Sequence, residues 1–195
     1  MTRMPDWLEW SRKIGPAYEL VDPNYVRGVN VEFFNHTARS LHLVGYDHLA
    51  DLYPAGVSRD AGALTRLMLT ADGLTLSAIT QVADTTRSKH WYSRLRNWVK
   101  PTYGACSLAL YTRFANGMHF ITDIGDPKLD RNDPTGIHLM TLPMHTEAQD
   151  LARVHIERLR AYRLALPLVR PVPFGDYRDY QRMENLLAGR REHAG

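Results

Sequence analysis

Cysteine is almost missing from this chain. Cys106 is the only one in 195 residues. One thiol cannot close an internal disulfide, so nothing here requires an oxidising compartment. Long apolar runs are missing as well, and no stretch approaches the roughly 20 residues a membrane-crossing helix needs. The opening "MTRMPDWLEWSRKIG" is amphipathic but lacks the apolar centre of a secretory signal. There is no Walker A loop and no GxGxxG, so nucleotide phosphates have no evident cradle. There is no HExxH and no Cys/His spacing suited to zinc. These gaps set the expectations: a cytoplasmic protein, peripheral at a membrane at most, with no cofactor, no metal ion and no assigned catalytic residue.

A large charge excess is also absent. The chain holds 24 Lys+Arg against 21 Asp+Glu, a net charge of only +3. Affinity for a polyanion would therefore have to come from a local patch. Acid is locally absent in "RSKHWYSRLRNWVKPTY", residues 87–103, which packs five cations and four aromatics into seventeen residues. Ser88 can cap a helix there and Pro101 can stop it. Trp91, Leu95 and Trp98 recur at helical spacing, while Lys89, Arg96 and Lys100 fall on the opposite side, flanked by Arg87 and Arg94. Aromatics and cations are thus segregated, whereas a ladder for single-stranded nucleic acid would mix them on one surface. The expectation is an amphipathic helix with its Trp stripe packed inward. Its basic back, made of Arg87, Lys89, Arg94, Arg96 and Lys100, is the candidate binding surface for an anionic partner.

What is present reads as α+β. Asp22-Pro23 is a good helix start, and Val26, Val29, Phe33, Thr37, Leu41 and Val44 continue one helical stripe. Gly45 suits a left-handed C-cap. Residues 46–53 fit a short strand or a helical turn. Two strand-like runs meet at Asp72-Gly73, and two more flank Asn116-Gly117, both hairpin signals. A two-residue turn at Asn116-Gly117 would pair Phe114 with His119, Arg113 with Phe120 and Thr112 with Ile121. Cys106, Leu108, Leu110, Phe114 and Ile121 would then share one buried face. "IHLMTLP" reads as a further strand. Thr146 opens the capping-box spacing "TEAQ", before a helix striped by Leu151, Ala152, His155, Leu159 and Tyr162. Pro167, Pro171 and Pro173 make an extended linker, and a last helix follows. It carries an apolar edge of Met183, Leu186 and Leu187 that needs a cover.

The expected fold is one antiparallel sheet of five or six strands, covered mainly on one face by helices, with a C-terminal helical tail. The expected division is an N-terminal arm over 1–22, an α+β domain over 23–166, and a Pro-rich linker with the C-terminal helix over 167–195. In element order alone the layout resembles longin-type domains and the small dimeric chaperones of secretion systems.

Two functions compete. The first is a non-catalytic binding or adaptor protein, with a protein partner or a second copy (a homodimer) favoured. A peripheral anionic membrane comes next, and nucleic acid is disfavoured. The rival is an enzyme or small-ligand binder with His119, His138 and His155 gathered between sheet and helix. A lone His on an apolar stripe, as His155 is, more often serves the core. Asp123, Asp126, Asp130 and Asp133 crowd one loop but lack the EF-hand order, and Asp also simply builds turns. Cys106, on an apolar strand face, reads as a buried inert thiol. An adaptor should expose apolar patches, and an enzyme should show one deep cleft with convergent polar groups.

Overall fold

In the computed structural model the chain is described over residues 17–57, 60, 62–82, 106–125, 132–133 and 136–193. The whole of 87–103, with its Trp stripe and its five cations, lies outside these residues.

The first expected helix is divided in two. Asp22 accepts from the Asn24 backbone N–H at 2.9 Å and caps only a 3-10 turn, Pro23–Tyr25. Gly28 then takes a φ of +75°, which stops any helix. Helix α1, Val31–His42, starts afresh from Asn30, whose Oδ1 accepts from Phe33 N–H at 3.1 Å. The side chain of Gln81 imposes this break from across the sheet. Its Nε2 donates to the carbonyls of Gly28 and Gly62, at 2.8 and 2.6 Å, and its Oε1 accepts from Asn30 N–H at 2.8 Å. The C-cap of α1 is Leu43 in the right-handed region, and Gly45, two residues further on, takes the left-handed φ of +92°.

Among the described residues nine strands form one sheet: β1 Tyr18–Leu20, β2 Tyr46–Pro54, β3 Leu64–Thr70, β4 Leu76–Gln81, β5 Cys106–Phe114, β6 His119–Gly125, β7 Asn132–Asp133, β8 Ile137–Pro143 and β9 Pro171–Val172. The spatial order is β1-β2-β3-β4-β5-β6-β8-β7, and β9 pairs with β5. The sheet is larger than the five or six strands expected, because two- and three-residue strands carry no readable alternation. It is also not purely antiparallel, since β8 runs parallel to β6. Residues 46–53 are strand. A register shift between His48 and Ala50 leaves Leu49 as a bulge in β2.

The Asn116-Gly117 hairpin forms, but its register is one residue away from that of a two-residue turn. Phe114 N–H donates to Met118 O at 2.9 Å and Gly117 N–H to Phe114 O at 3.0 Å. The loop is therefore Ala115-Asn116-Gly117, with Gly117 at φ +81°: a type I turn closed by a glycine bulge. Arg113 pairs with His119, Thr112 with Phe120 and Tyr111 with Ile121. A one-residue slip moves a strand's side chains to the other face. Ile121 consequently lies on the opposite face from Leu108 and Leu110.

Both faces of the sheet are covered, which corrects the one-sided arrangement. On the first, α1 and helix α2 (Ala148–Ala165) bury Phe34, Leu41, Leu151 and Ala152 against Met68, Ile79, Leu108 and Leu110. On the second, helix α3 (Tyr177–His193) brings Tyr180, Met183 and Leu187 onto Leu52, Leu67, Leu76 and Ile121. Phe174 joins this second core. The Pro-rich stretch is tied to the sheet rather than free: β9 pairs with Arg113 and Phe114 of β5, and Phe174 N–H donates to Gly73 O at 2.8 Å. The capping box before α2 does not form. Glu147 is the N-cap, with no side-chain cap bond, because Thr146 N–H is drawn into a turn to Pro143 O at 2.9 Å.

Candidate functional site

His155 faces the sheet from the centre of α2 and is 0% exposed. Its Nδ1 is 2.8 Å from Thr122 Oγ1 of β6 and its Nε2 is 3.0 Å from Thr112 Oγ1 of β5. Thr112 continues to Thr75 Oγ1 at 3.0 Å. One turn further along α2, Arg158 donates from Nη1 to Thr122 Oγ1 at 2.6 Å and to Ile121 O at 2.7 Å, and from Nη2 to His138 O at 3.1 Å. In a neutral ring one nitrogen donates to its threonine hydroxyl and the other accepts from its own, so both are satisfied without a charge. Burial, reinforced by the Arg158 charge, pushes the His155 pKa down to about 3. A buried imidazole with both nitrogens bonded to protein has no lone pair or proton left for a solute.

The other two histidines do not converge on it. His138 shares the face of His155 and stacks on Phe120, with ring centroids 4.9 Å apart. Partial burial and Arg158 hold its pKa below the ordinary value. Arg158 links the two residues, but through the His138 carbonyl rather than the ring. His119 has the parity of Ile121 and so points to the opposite face, where its Nδ1 lies 3.1 Å from Gly117 O. A two-residue turn at Asn116-Gly117, the expectation from sequence, would put His119 on the face of Phe114; the three-residue loop turns it away.

Among the described residues no group of three or more His, Cys, Asp or Glu could hold a metal ion. Asp126 and Asp130 lie outside those residues. Cys106 is the first residue of β5 rather than mid-strand, half-buried, with Sγ 3.8 Å from Gln81 Oε1, and burial raises its thiol pKa. Among the described residues an open depression of about 560 Å³ runs along α1, lined by Asn30, Glu32, Phe33, Asn35, His36 and Arg39. Nearby, the β2 bulge brings His48 Nε2 to 3.0 Å from Asp51 Oδ2, and Arg66 Nε binds the same carboxylate at 2.8 Å. Asp51 is buried and doubly paired, so this cluster joins β2 to β3 rather than lining a cleft.

Apolar side chains stand in solvent at the C-terminal end of α2. Leu164, Leu166 and Leu168 are 84%, 45% and 93% exposed. The turn bearing them is held from both sides. Leu166 N–H donates to Tyr162 O at 2.9 Å, Val169 N–H to Leu166 O at 3.1 Å, and Ala115 N–H to Arg170 O at 2.9 Å. Tyr162 packs on Phe114 and Phe120, centroids 4.8 and 4.7 Å away, and Asn116 Nδ2 donates to its hydroxyl at 3.2 Å. From sequence the domain is expected to end at 166, with only the residues from 167 onward read as linker. The available signal was "RLRAYRLALPLVRPVPFG", residues 158–175, a second basic run without an acid.

The candidate basic surface of Arg87, Lys89, Arg94, Arg96 and Lys100 lies outside the described residues. No helix among those described is long and apolar enough to cross a membrane. No family model matches the chain, and comparison with curated proteins and with solved structures finds no match either.

Proposed function

We propose that this protein is a non-catalytic binding or adaptor protein that engages its partner through the turn at the C-terminal end of α2. The observation that carries this reading is the exposure of Leu164, Leu166 and Leu168 on a segment pinned to β5 and β9. Apolar side chains held rigidly in water lose nothing further in backbone entropy on binding and gain by desolvation. The rival reading, a histidine-centred ligand site between sheet and helix, has less support. His155 is fully engaged by protein groups, and His119 faces the other way.

Hydroxyl-radical footprinting of the full chain in buffer and in total cell extract tests this. Extract should protect Leu164–Leu168 and leave Leu43, which is 72% exposed at the end of α1, unchanged. Equal labelling of Leu164–Leu168 in buffer and extract would overturn the reading.

A further inference from the structure

Three arginines flank the three leucines along the chain. Arg160 lies one turn before Leu164 on α2, Arg163 adjoins it, and Arg170 follows the turn. All three are exposed. Among the described residues none of their side chains forms an ion pair or a hydrogen bond. No acid occurs between Glu157 and Asp176. Asp72, an acid at this end of the sheet, has its Oδ1 on Thr70 Oγ1 at 2.7 Å and on Leu74 N–H at 3.0 Å. Earlier on the same helix Arg153 pairs with Asp150 at 2.9 Å.

From this patch we infer that the partner is the surface of an anionic lipid bilayer, with Leu164, Leu166 and Leu168 inserting between headgroups while Arg160, Arg163 and Arg170 lie on them. The inference rests on the binding reading above and names its partner. Charge complementarity selects the class. Three unpaired guanidinium groups flanking apolar side chains call for an anionic surface that also accepts alkyl chains. A second copy meeting the same patch across a two-fold axis would set arginine against arginine. Nucleic acid supplies the charge but has no use for leucine. Exposure decides between a bilayer and an acidic protein. Leu164 and Leu168 are 84% and 93% exposed. A protein would need a preformed pocket for each, whereas acyl chains part around them.

Vesicle flotation with the full chain is the test. Vesicles of zwitterionic lipid alone are compared with vesicles holding roughly 30 mol% anionic lipid, at about 50 mM and about 300 mM salt. Wild type should float only with the anionic vesicles, and less at the higher salt. Arg160→Ala/Arg163→Ala/Arg170→Ala should weaken partitioning on the order of 100-fold, since each cation near such a surface counts for about one factor of five. Leu164→Ser/Leu166→Ser/Leu168→Ser, all exposed positions that should leave the melting temperature unchanged, should also abolish flotation. Equal binding to both vesicle types, or full binding by the leucine variant, overturns the inference. So does loss of binding only in Lys89→Ala/Arg96→Ala/Lys100→Ala, which would move the contact to 87–103. The footprint separates the two levels. Protection of Leu164–Leu168 that persists in extract cleared of membranes, without vesicle binding, leaves a binding protein whose partner is a protein. Absence of protection in any extract removes both readings.

Discussion

At the residue scale two buried polar side chains carry testable weight. His155 titrates near 6.5 when unfolded but is pushed to about 3 in the fold by burial and Arg158. Between those values the unfolded chain takes up a proton that the native state refuses. His155 therefore contributes its full stability above about pH 6.5, and that contribution is lost as pH falls toward 3. The loss is up to about 1.4 kcal/mol per pH unit inside the window. Urea unfolding at pH 7, 5.5 and 4.5 should show it, and His155→Gln should flatten the profile while costing about 1–3 kcal/mol at pH 7 through lost hydrogen bonds. His138, also held low, supplies part of the slope that remains. A variant whose pH profile parallels the wild type would contradict the neutral buried ring.

Gln81 is the second case. It donates to two carbonyls and accepts from one amide while 1% exposed. Gln81→Glu keeps the acceptor but sets a carboxylate against the carbonyls of Gly28 and Gly62. Destabilisation of at least about 2 kcal/mol is expected, read as a shift in urea midpoint at pH 7. Neither role was legible from sequence. A glutamine in a strand and a histidine on a helical stripe look ordinary until the elements that meet them are placed.

At the element scale the glycines separate two kinds of cost. Gly117 has φ +81° and nothing within 4 Å of where a Cβ would stand. Gly117→Val should therefore cost only backbone strain, about 1–3 kcal/mol. Gly62 has φ +71°, and a Cβ there would meet Gly28 O at 2.6 Å and Gln81 Nε2 at 3.1 Å. Gly62→Ala adds that clash to the strain and should destabilise by more than Gly117→Val, despite its smaller side chain. Thermal melts of both variants side by side decide it; the reverse ranking would mean that the Gly28–Gly62–Gln81 junction yields readily. The same elements show where pattern reading succeeds. Asn116-Gly117 announces a hairpin because few other pairs tolerate the turn. It does not announce the loop length, because a two-residue turn and a three-residue turn with a glycine bulge accept the same dipeptide. The first helix failed similarly. Its apolar stripe continues through Gly28, but a stripe records which face is buried and not whether the backbone is continuous.

At the scale of the whole molecule the question is what the segment from 167 onward does. It is the second layer on the sheet. Arg113 Nη2 bonds Asp179 Oδ2 at 3.0 Å, and its guanidinium lies over Phe174, 4.7 Å from the ring centroid. Burial alone would raise the Asp179 pKa, but Gly175 N–H, Arg113 and Arg182 outweigh it and hold the carboxyl below its ordinary range. Met183 and Leu187 are 3% and 1% exposed, so α3 buries these two on this chain, while Leu186 stays 46% exposed. Removing residues 167–195 uncovers Leu52, Leu67, Leu76 and Ile121 and takes away Phe174, Tyr180, Met183 and Leu187. At about 1.5–3 kcal/mol per buried large side chain, the loss rivals the 5–15 kcal/mol that typically holds a domain together. The truncated chain should lack a cooperative melt by circular dichroism and should associate on a sizing column. A cooperative melt within a few degrees of the full chain would show that α3 is dispensable.

The sequence by itself determined the local quantities: most strand positions, the turns at Asp72-Gly73 and Asn116-Gly117, the buried stripe of α2, and the basic character of its runs. These depend on neighbours a few residues apart, where side-chain periodicity and backbone preference act directly. Only the tertiary structure decided the strand order, the parallel β6–β8 pair, the one-residue register that sends His119 away from His155, and the use of α3 as a second layer. Each of these depends on contacts between residues tens of positions apart. The free energy that selects them comes from burying two faces at once, a quantity that no single segment possesses.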